Sequence, residues 1–171
     1  MKKRWLISIM LITASALCLL PLASFAVNSE RDLAHSDSVI RYQSPYSVTE
    51  TLDRISERLS KKGVIIFARI NFSKDANKAG LMLPDEEMLI FGNPKAGTLL
   101  LQENPLIGLD LPLKILAWRT SDGMTHLAYL APSAIAKRYG IKKNKAVFMQ
   151  MDKLFSTILT DVTGKPAKTS E

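Results

Sequence analysis

The chain has 171 residues, 47% of them hydrophobic, with one cysteine, two histidines and a formal net charge of +7. That length holds one domain with enough apolar residues for a real core. One cysteine and two histidines cannot by themselves supply the four ligands of a structural zinc centre.

Lys2, Lys3 and Arg4 form a short basic start, and residues 5–26 are an uncharged apolar run closing on Pro21-Leu22-Ala23-Ser24-Phe25-Ala26. The small residues at 24 and 26 predict a signal peptide, residues 1–26, cleaved after Ala26. The protein is then exported, periplasmic or secreted. An uncleaved anchor is the alternative, since the run is just long enough to span a bilayer. Lipidation at Cys18 is disfavoured because Leu17 stands where a small residue is expected. Cleavage reduces 23 basic residues to 20 against 16 acidic, a charge near +4. The high pI therefore belongs partly to the export signal, and no nucleic-acid partner is expected. The mature chain would carry no cysteine, which excludes disulfides, thiolate nucleophiles and cysteine metal sites.

Residues 27–37 read as a polar lead-in and 38–43 as a first strand. Ser47 with Glu50 three residues on predicts a capping box. Val48, Leu52, Ile55 and Leu59 recur at helical spacing, and Gly63 ends that helix after Lys61-Lys62. "VIIFARINF", residues 64–72, predicts a strand buried on at least one face. Residues 74–83 read as a short helix or loop, and 87–91 as another strand. The densest stretch follows, "LIFGNPKAGTLLLQENPLIGLDLPLKILAW", residues 89–118, with three prolines and three glycines. Asn93 can cap a helix, Pro94 suits its first turn, and Leu99, Leu100 and Leu101 would bury one side of it. Asn104-Pro105 stops it, because the residue before proline avoids helical angles. Residues 108–112 bend the chain into a strand over 113–120. Ser121-Asp122-Gly123 is a hairpin turn, with a return strand over 124–130. A short helix runs to Gly140. Asn144 then caps a last helix with Val147, Phe148, Met151, Leu154, Phe155, Ile158 and Leu159 along one stripe, ending near Gly164. One domain is expected over 38–163, followed by a polar tail, 164–171.

The dense stretch, its Phe91-Gly92-Asn93-Pro94 and Leu109-Asp110-Leu111-Pro112 motifs, the Ser121-Asp122-Gly123 hairpin and the Tyr129-Leu130-Ala131-Pro132 exit resemble the domain of unknown function 302 family. The resemblance runs over residues 38–159. It implies a TBP-like α+β fold: strand, helix, four strands, then a long C-terminal helix across a curved antiparallel sheet, with short extra helices. No reaction comes with the family. Many of its members carry an Asp-His pair where this chain has Asn71-Phe72. Phenylalanine cannot relay a proton or bind a metal, so the resemblance gives an enzymatic reading no support here.

The remaining polar residues offer little chemistry. No Gly-x-Ser-x-Gly elbow presents a serine to His126, and Gly92 and Gly97 lack the Gly-Lys-Ser/Thr ending of a phosphate loop. Asp85, Glu86 and Glu87 read as an acidic turn that aids solubility. Met124 and His126 share a strand face and could hold copper(I) with another methionine; packing is the plainer role. Lys137, Arg138, Lys142, Lys143 and Lys145 form a basic cluster around Gly140, read as solvated surface. A ligand site is assigned to Arg69, Asn71, Asn93, Lys95 and His126: the helix start after Asn93 favours anions, and Arg69 interrupts an apolar strand. No catalytic residue, metal ligand or cofactor is assigned. The favoured function is a non-catalytic module holding a small, partly apolar ligand between the sheet and the last helix. The alternative is a homodimeric assembly protein of the cell envelope, pairing through an exposed strand edge. A hydrolase or redox enzyme ranks third. Contact with a membrane is expected only through an uncleaved signal segment.

Overall fold

The computed structural model describes residues 38–167. The expected signal peptide and most of the lead-in and polar tail lie outside them. Within them a five-stranded antiparallel sheet, β1 (Val39–Ser44), β2 (Ile65–Asn71), β3 (Glu86–Gly92), β4 (Leu113–Arg119) and β5 (Thr125–Leu130), takes the order β1-β5-β4-β3-β2. Helix α1 (Val48–Lys61) carries the chain from the β1 edge to the β2 edge. Short helices α2 (Phe72–Lys78), α3 (Pro94–Glu103), a 3-10 turn (Pro105–Leu109) and α4 (Pro132–Arg138) follow in turn. The chain closes with the 19-residue helix α5 (Lys145–Thr163).

Strand alternation sorts the sheet into two unlike faces. Leu89 and Phe91 of β3, Leu113, Ile115 and Ala117 of β4, and Leu127 and Tyr129 of β5 are buried on one face. Against them lie Leu52, Ile55 and Leu59 of α1 and Phe148, Phe155, Ile158 and Leu159 of α5. Phe155 meets the rings of Phe91 and Tyr129 edge-on, at 5.3 and 5.6 Å. Each of the leucine, isoleucine and phenylalanine side chains among them contributes about 1.5–3 kcal/mol by leaving water. The opposite face carries Met88, Ile90, Leu116, Trp118, Ala128 and Leu130, all only partly buried.

Four expectations need correction. The strand over 64–72 is an edge strand: β2 pairs only with β3, it bulges between Ile66 and Ala68, and Ile65 and Phe67 are half exposed. An edge position leaves a strand one neighbour, so apolar composition overstated its burial. Of the three leucines of α3 only Leu100 is buried; Leu99 and Leu101 are exposed, because one helical turn cannot send three successive residues inward. Glu87 is no solubility device. It is 5% exposed and accepts hydrogen bonds from Thr49 Oγ1 and Arg69 Nε, both at 2.6 Å.

The fourth correction concerns α5. Asn144 stands at its N-cap but makes no capping hydrogen bond. The carboxylate of Glu103, at the end of α3, instead holds the turn that leads into the helix. It accepts the backbone N–H groups of Lys142, Lys143 and Asn144 at 2.6, 2.8 and 3.0 Å and Asn144 Nδ2 at 2.8 Å. Burial pushes this carboxyl up, but those four donors outweigh it and hold it down at about 2.

Candidate functional site

Where β3 runs into α3, the chain leaves a cleft of about 390 Å³. Its back wall is Gly92, Leu113 and Pro112; one side is α3, through Asn93, Pro94, Gly97, Thr98 and Leu101. Phe67 of β2, Gly108 in the 3-10 turn, Leu111 just after it, and Met151 of α5 complete it. Each part has a local cause. Asn93 Oδ1 accepts the N–H groups of Lys95 and Ala96 at 3.0 and 3.5 Å, and Pro94 occupies the first helical position, so α3 starts where the strand stops. Asn104 ends α3 and opens the 3-10 turn through Oδ1 and Leu106 N–H, 3.1 Å, which returns the chain over the cleft. The Leu111–Pro112 peptide is cis.

Two glycines give the cleft its shape. A Cβ on Gly92 would stand 3.0 Å from Cε2 of Phe67, so the bulged phenylalanine would have to shift by a few tenths of an ångström over any other residue. A Cβ on Gly97 would meet nothing within 4 Å. Gly97 is a helical glycine that costs stability relative to alanine and leaves open volume in return. The lining holds no titratable side chain; its polar side chains are Asn93, already occupied as a cap, and Thr98. A second cavity of about 160 Å³ shares Gly92, Asn93, Leu113 and Met151 and runs between the sheet and α5 toward Phe91 and Phe155. The 390 Å³ cleft suits an apolar guest and offers nothing to compensate a buried charge.

The five residues assigned to a ligand site do not come together. Asn93 lines the cleft. Lys95 follows it on the exposed start of α3, outside the lining. Arg69 faces α1, away from the cleft lining. Its guanidinium pairs with Glu87 and Asp53 and donates to Thr49 O at 3.0 Å. Burial opposes its charge, and the hydrogen bonds to Asp53 and Glu87 more than restore it, so its pKa rises. This network ties the β2 edge to α1, because a buried carboxylate such as Glu87 needs a paired donor. Asn71 caps α2, accepting from Lys74 N–H at 2.7 Å and Ser73 Oγ at 3.1 Å. An aspartate there would cap as well. His126 lies on the open sheet face, stacked on Trp118 with centroids 5.6 Å apart. Met149 and Met151 lie on α5, so the soft-ligand set considered from the sequence does not converge. Among the described residues no three His, Cys, Asp or Glu side chains gather at one point. Sequence reasoning missed Phe67, Gly97, Thr98, Leu101 and Met151. A glycine inside a helical pattern was the signal available for one of them.

Residues 40–158 match the family described as a domain of unknown function, DUF302. The chain belongs to the DUF302 family. A crystal structure of an uncharacterized conserved DUF302 protein from Bacillus stearothermophilus superposes with a TM-score of 0.66 at 20% identity. The match takes in 73% of this chain and 98% of that one, which shows a shared fold. Among curated proteins, "Fluoride-specific ion channel FluC 1" of Brucella suis biovar 1 (strain 1330) is 38% identical over 103 residues. The match covers 60% of this chain and 41% of that protein. The protein of the same name from Brucella abortus biovar 1 (strain 9-941) matches at 38% over 103 residues, 38% of its length. This DUF302 chain thus spans well under half of the curated relatives it matches.

Proposed function

We propose that this DUF302 domain is a non-catalytic module that holds a small apolar molecule in the cleft between β3 and α3. The observation that carries the reading is the cleft itself: about 390 Å³, lined almost wholly by apolar side chains and glycines, with no titratable group facing in. Its volume is that of a small-ligand site, and an apolar pocket with few polar groups binds by burial. The absence of titratable groups in the lining and the Asn71-Phe72 sequence both speak against proton-transfer chemistry there. We further read the sheet and its two long helices as a TBP-like arrangement; what supports this is the order of elements and the antiparallel pairing throughout. Export, inferred from residues 1–26, would place the module in the periplasm or outside the cell. The curated relatives are named as fluoride channels, but the match leaves more than half of each outside it. Among the described residues no helix is long and apolar enough to cross a membrane. Conduction by this chain is therefore not part of the proposal.

Native mass spectrometry of protein taken from the producing cell tests the reading, with Gly97→Leu as the matched control. The wild type should carry a small apolar adduct, or bind the neutral fluorophore N-phenyl-naphthylamine. The Gly97→Leu variant should lose both while staying folded, since leucine fills open space and favours the helix. Equal binding by the two proteins would remove the cleft from consideration. A homodimer is the second reading, favoured by the uncovered apolar sheet face and by the unpaired edges of β1 and β2 among the described residues. The same mass spectrum reports it.

A further inference from the structure

A second surface, apart from the cleft, combines charge and apolar exposure. Helix α4, the loop 139–144 and the first turns of α5 flank a groove of about 380 Å³. Its floor is Ala136, Ile141 and Phe148, all buried; its rim is Lys137, Lys142, Lys145 and Met149. Lys143 stands beside them on the loop. Lys145, Met149 and Lys153 follow one another at four-residue spacing along the exposed stripe of α5.

The nearby acids are already engaged. Glu103 accepts backbone N–H groups at the start of α5, Asp152 accepts Ser133 N–H at 3.2 Å, and Asp110 pairs with Arg138 at 2.7 Å. Among the described residues none of the five lysines forms an ion pair with a carboxylate. Large apolar side chains are exposed within the same region. Met149 is 70% exposed; Leu99, whose carbonyl accepts from Asn144 Nδ2, is 46% exposed. Leu106, two residues after the Asn104 that donates to Tyr139 O, is 66% exposed.

We propose that this face docks on an anionic phospholipid bilayer. Unpaired lysines meet the phosphate headgroups, and their aliphatic stems let the ammonium groups reach out while Met149, Leu99 and Leu106 enter the headgroup boundary. Charge alone would suit any acidic partner. Exposed methionine and leucine interleaved with lysine are the features an amphipathic membrane surface rewards.

The test uses the full chain and vesicles of mixed phosphatidylglycerol and phosphatidylethanolamine, with phosphatidylcholine vesicles as the neutral reference. Wild type is compared with the triple variant Lys142→Gln, Lys143→Gln, Lys145→Gln. Glu103 binds the backbone of Lys142 and Lys143, not their ammonium groups, so the α5 cap survives and the variant should melt as the wild type does. Each lysine near such a surface is worth about fivefold in partition, so the triple variant should bind the anionic vesicles about 100-fold more weakly. Any contribution from residues 1–37 is common to both proteins. Wild-type binding should also weaken as salt rises. Equal partition of the two proteins, no preference for anionic over neutral vesicles, or binding to acidic protein but to neither vesicle would each overturn the proposal. Should the variant unfold, a salt-insensitive wild type would overturn it equally.

Discussion

Helices α3 and α5 both start after an asparagine, and they start in different ways. Asn93 caps α3 itself: its side chain takes two N–H groups of the first turn, and proline supplies the next residue. Asn144 stands in the same place before α5 and caps nothing. Its amide donates to Glu103 and to Leu99 O, while Glu103, from another element, accepts the N–H groups of residues 142–144 that lead into the helix. The contrast teaches that a capping residue closes a helix alone only where no stronger acceptor competes. A carboxylate brought in by the fold draws the Asn144 amide to itself, because charged acceptors make the stronger hydrogen bonds. The α3 start is local and leaves an open cleft; the α5 start is tertiary and welds three elements together.

The largest effect should come from breaking the tertiary cap. Glu103→Gln should lower the melting temperature more than any asparagine change, and the loss should depend on pH. The Glu103 carboxyl falls from an ordinary 4.5 to about 2 in the folded protein. A depressed carboxyl stabilises above its unfolded value, so the contribution is full above about pH 4.5 and fades as pH drops toward 2. Melting curves of both proteins should diverge at neutral pH and converge near pH 2. A gap of constant size across that window would mean that Glu103 acts through shape rather than charge.

Next in size is the local cap. Asn93→Ala should cost about 1 kcal/mol by denaturant unfolding, since two N–H groups of α3 lose their acceptor. It should also loosen the cleft, weakening fluorophore binding beyond what the stability change explains. Retained binding at full strength would show that the cleft does not need the cap.

The smallest effect should be Asn144→Ala, about 0.5 kcal/mol for amide donations at a helix start that Glu103 still holds. The two asparagines are then ranked by structure against identical expectations from sequence. If Asn144→Ala costs as much as Asn93→Ala, the contrast between the two starts fails.

Much of the fold was legible because its signals are local. Ser47 caps α1 by accepting Glu50 N–H, Gly164 ends α5 in the left-handed conformation, and Gly123 turns the central hairpin at φ 81°. Each needs only its neighbours along the chain. The stripe from Phe148 to Leu159 likewise reads from spacing. Half of the candidate site was legible for the same reason: Asn93, Pro94 and Pro112 announce a strand end, a helix start and a return. The other half was not. Phe67 and Met151 reach the cleft from a bulged edge strand and from the last helix, and no local pattern says which residues a bulge will expose.

What the residues alone determined was therefore the punctuation and the sequence of elements, since caps, turns and hydrophobic periods are set within a few residues. Only the tertiary structure decided which strand became an edge, that Arg69 would face Glu87 and Asp53 instead of solvent, and that Glu103 would hold the start of α5. Those outcomes depend on contacts across tens of residues, where a charged group takes whatever partner packing delivers. The cleft belongs with them. Its walls come from six separate elements, and an empty space has no sequence of its own.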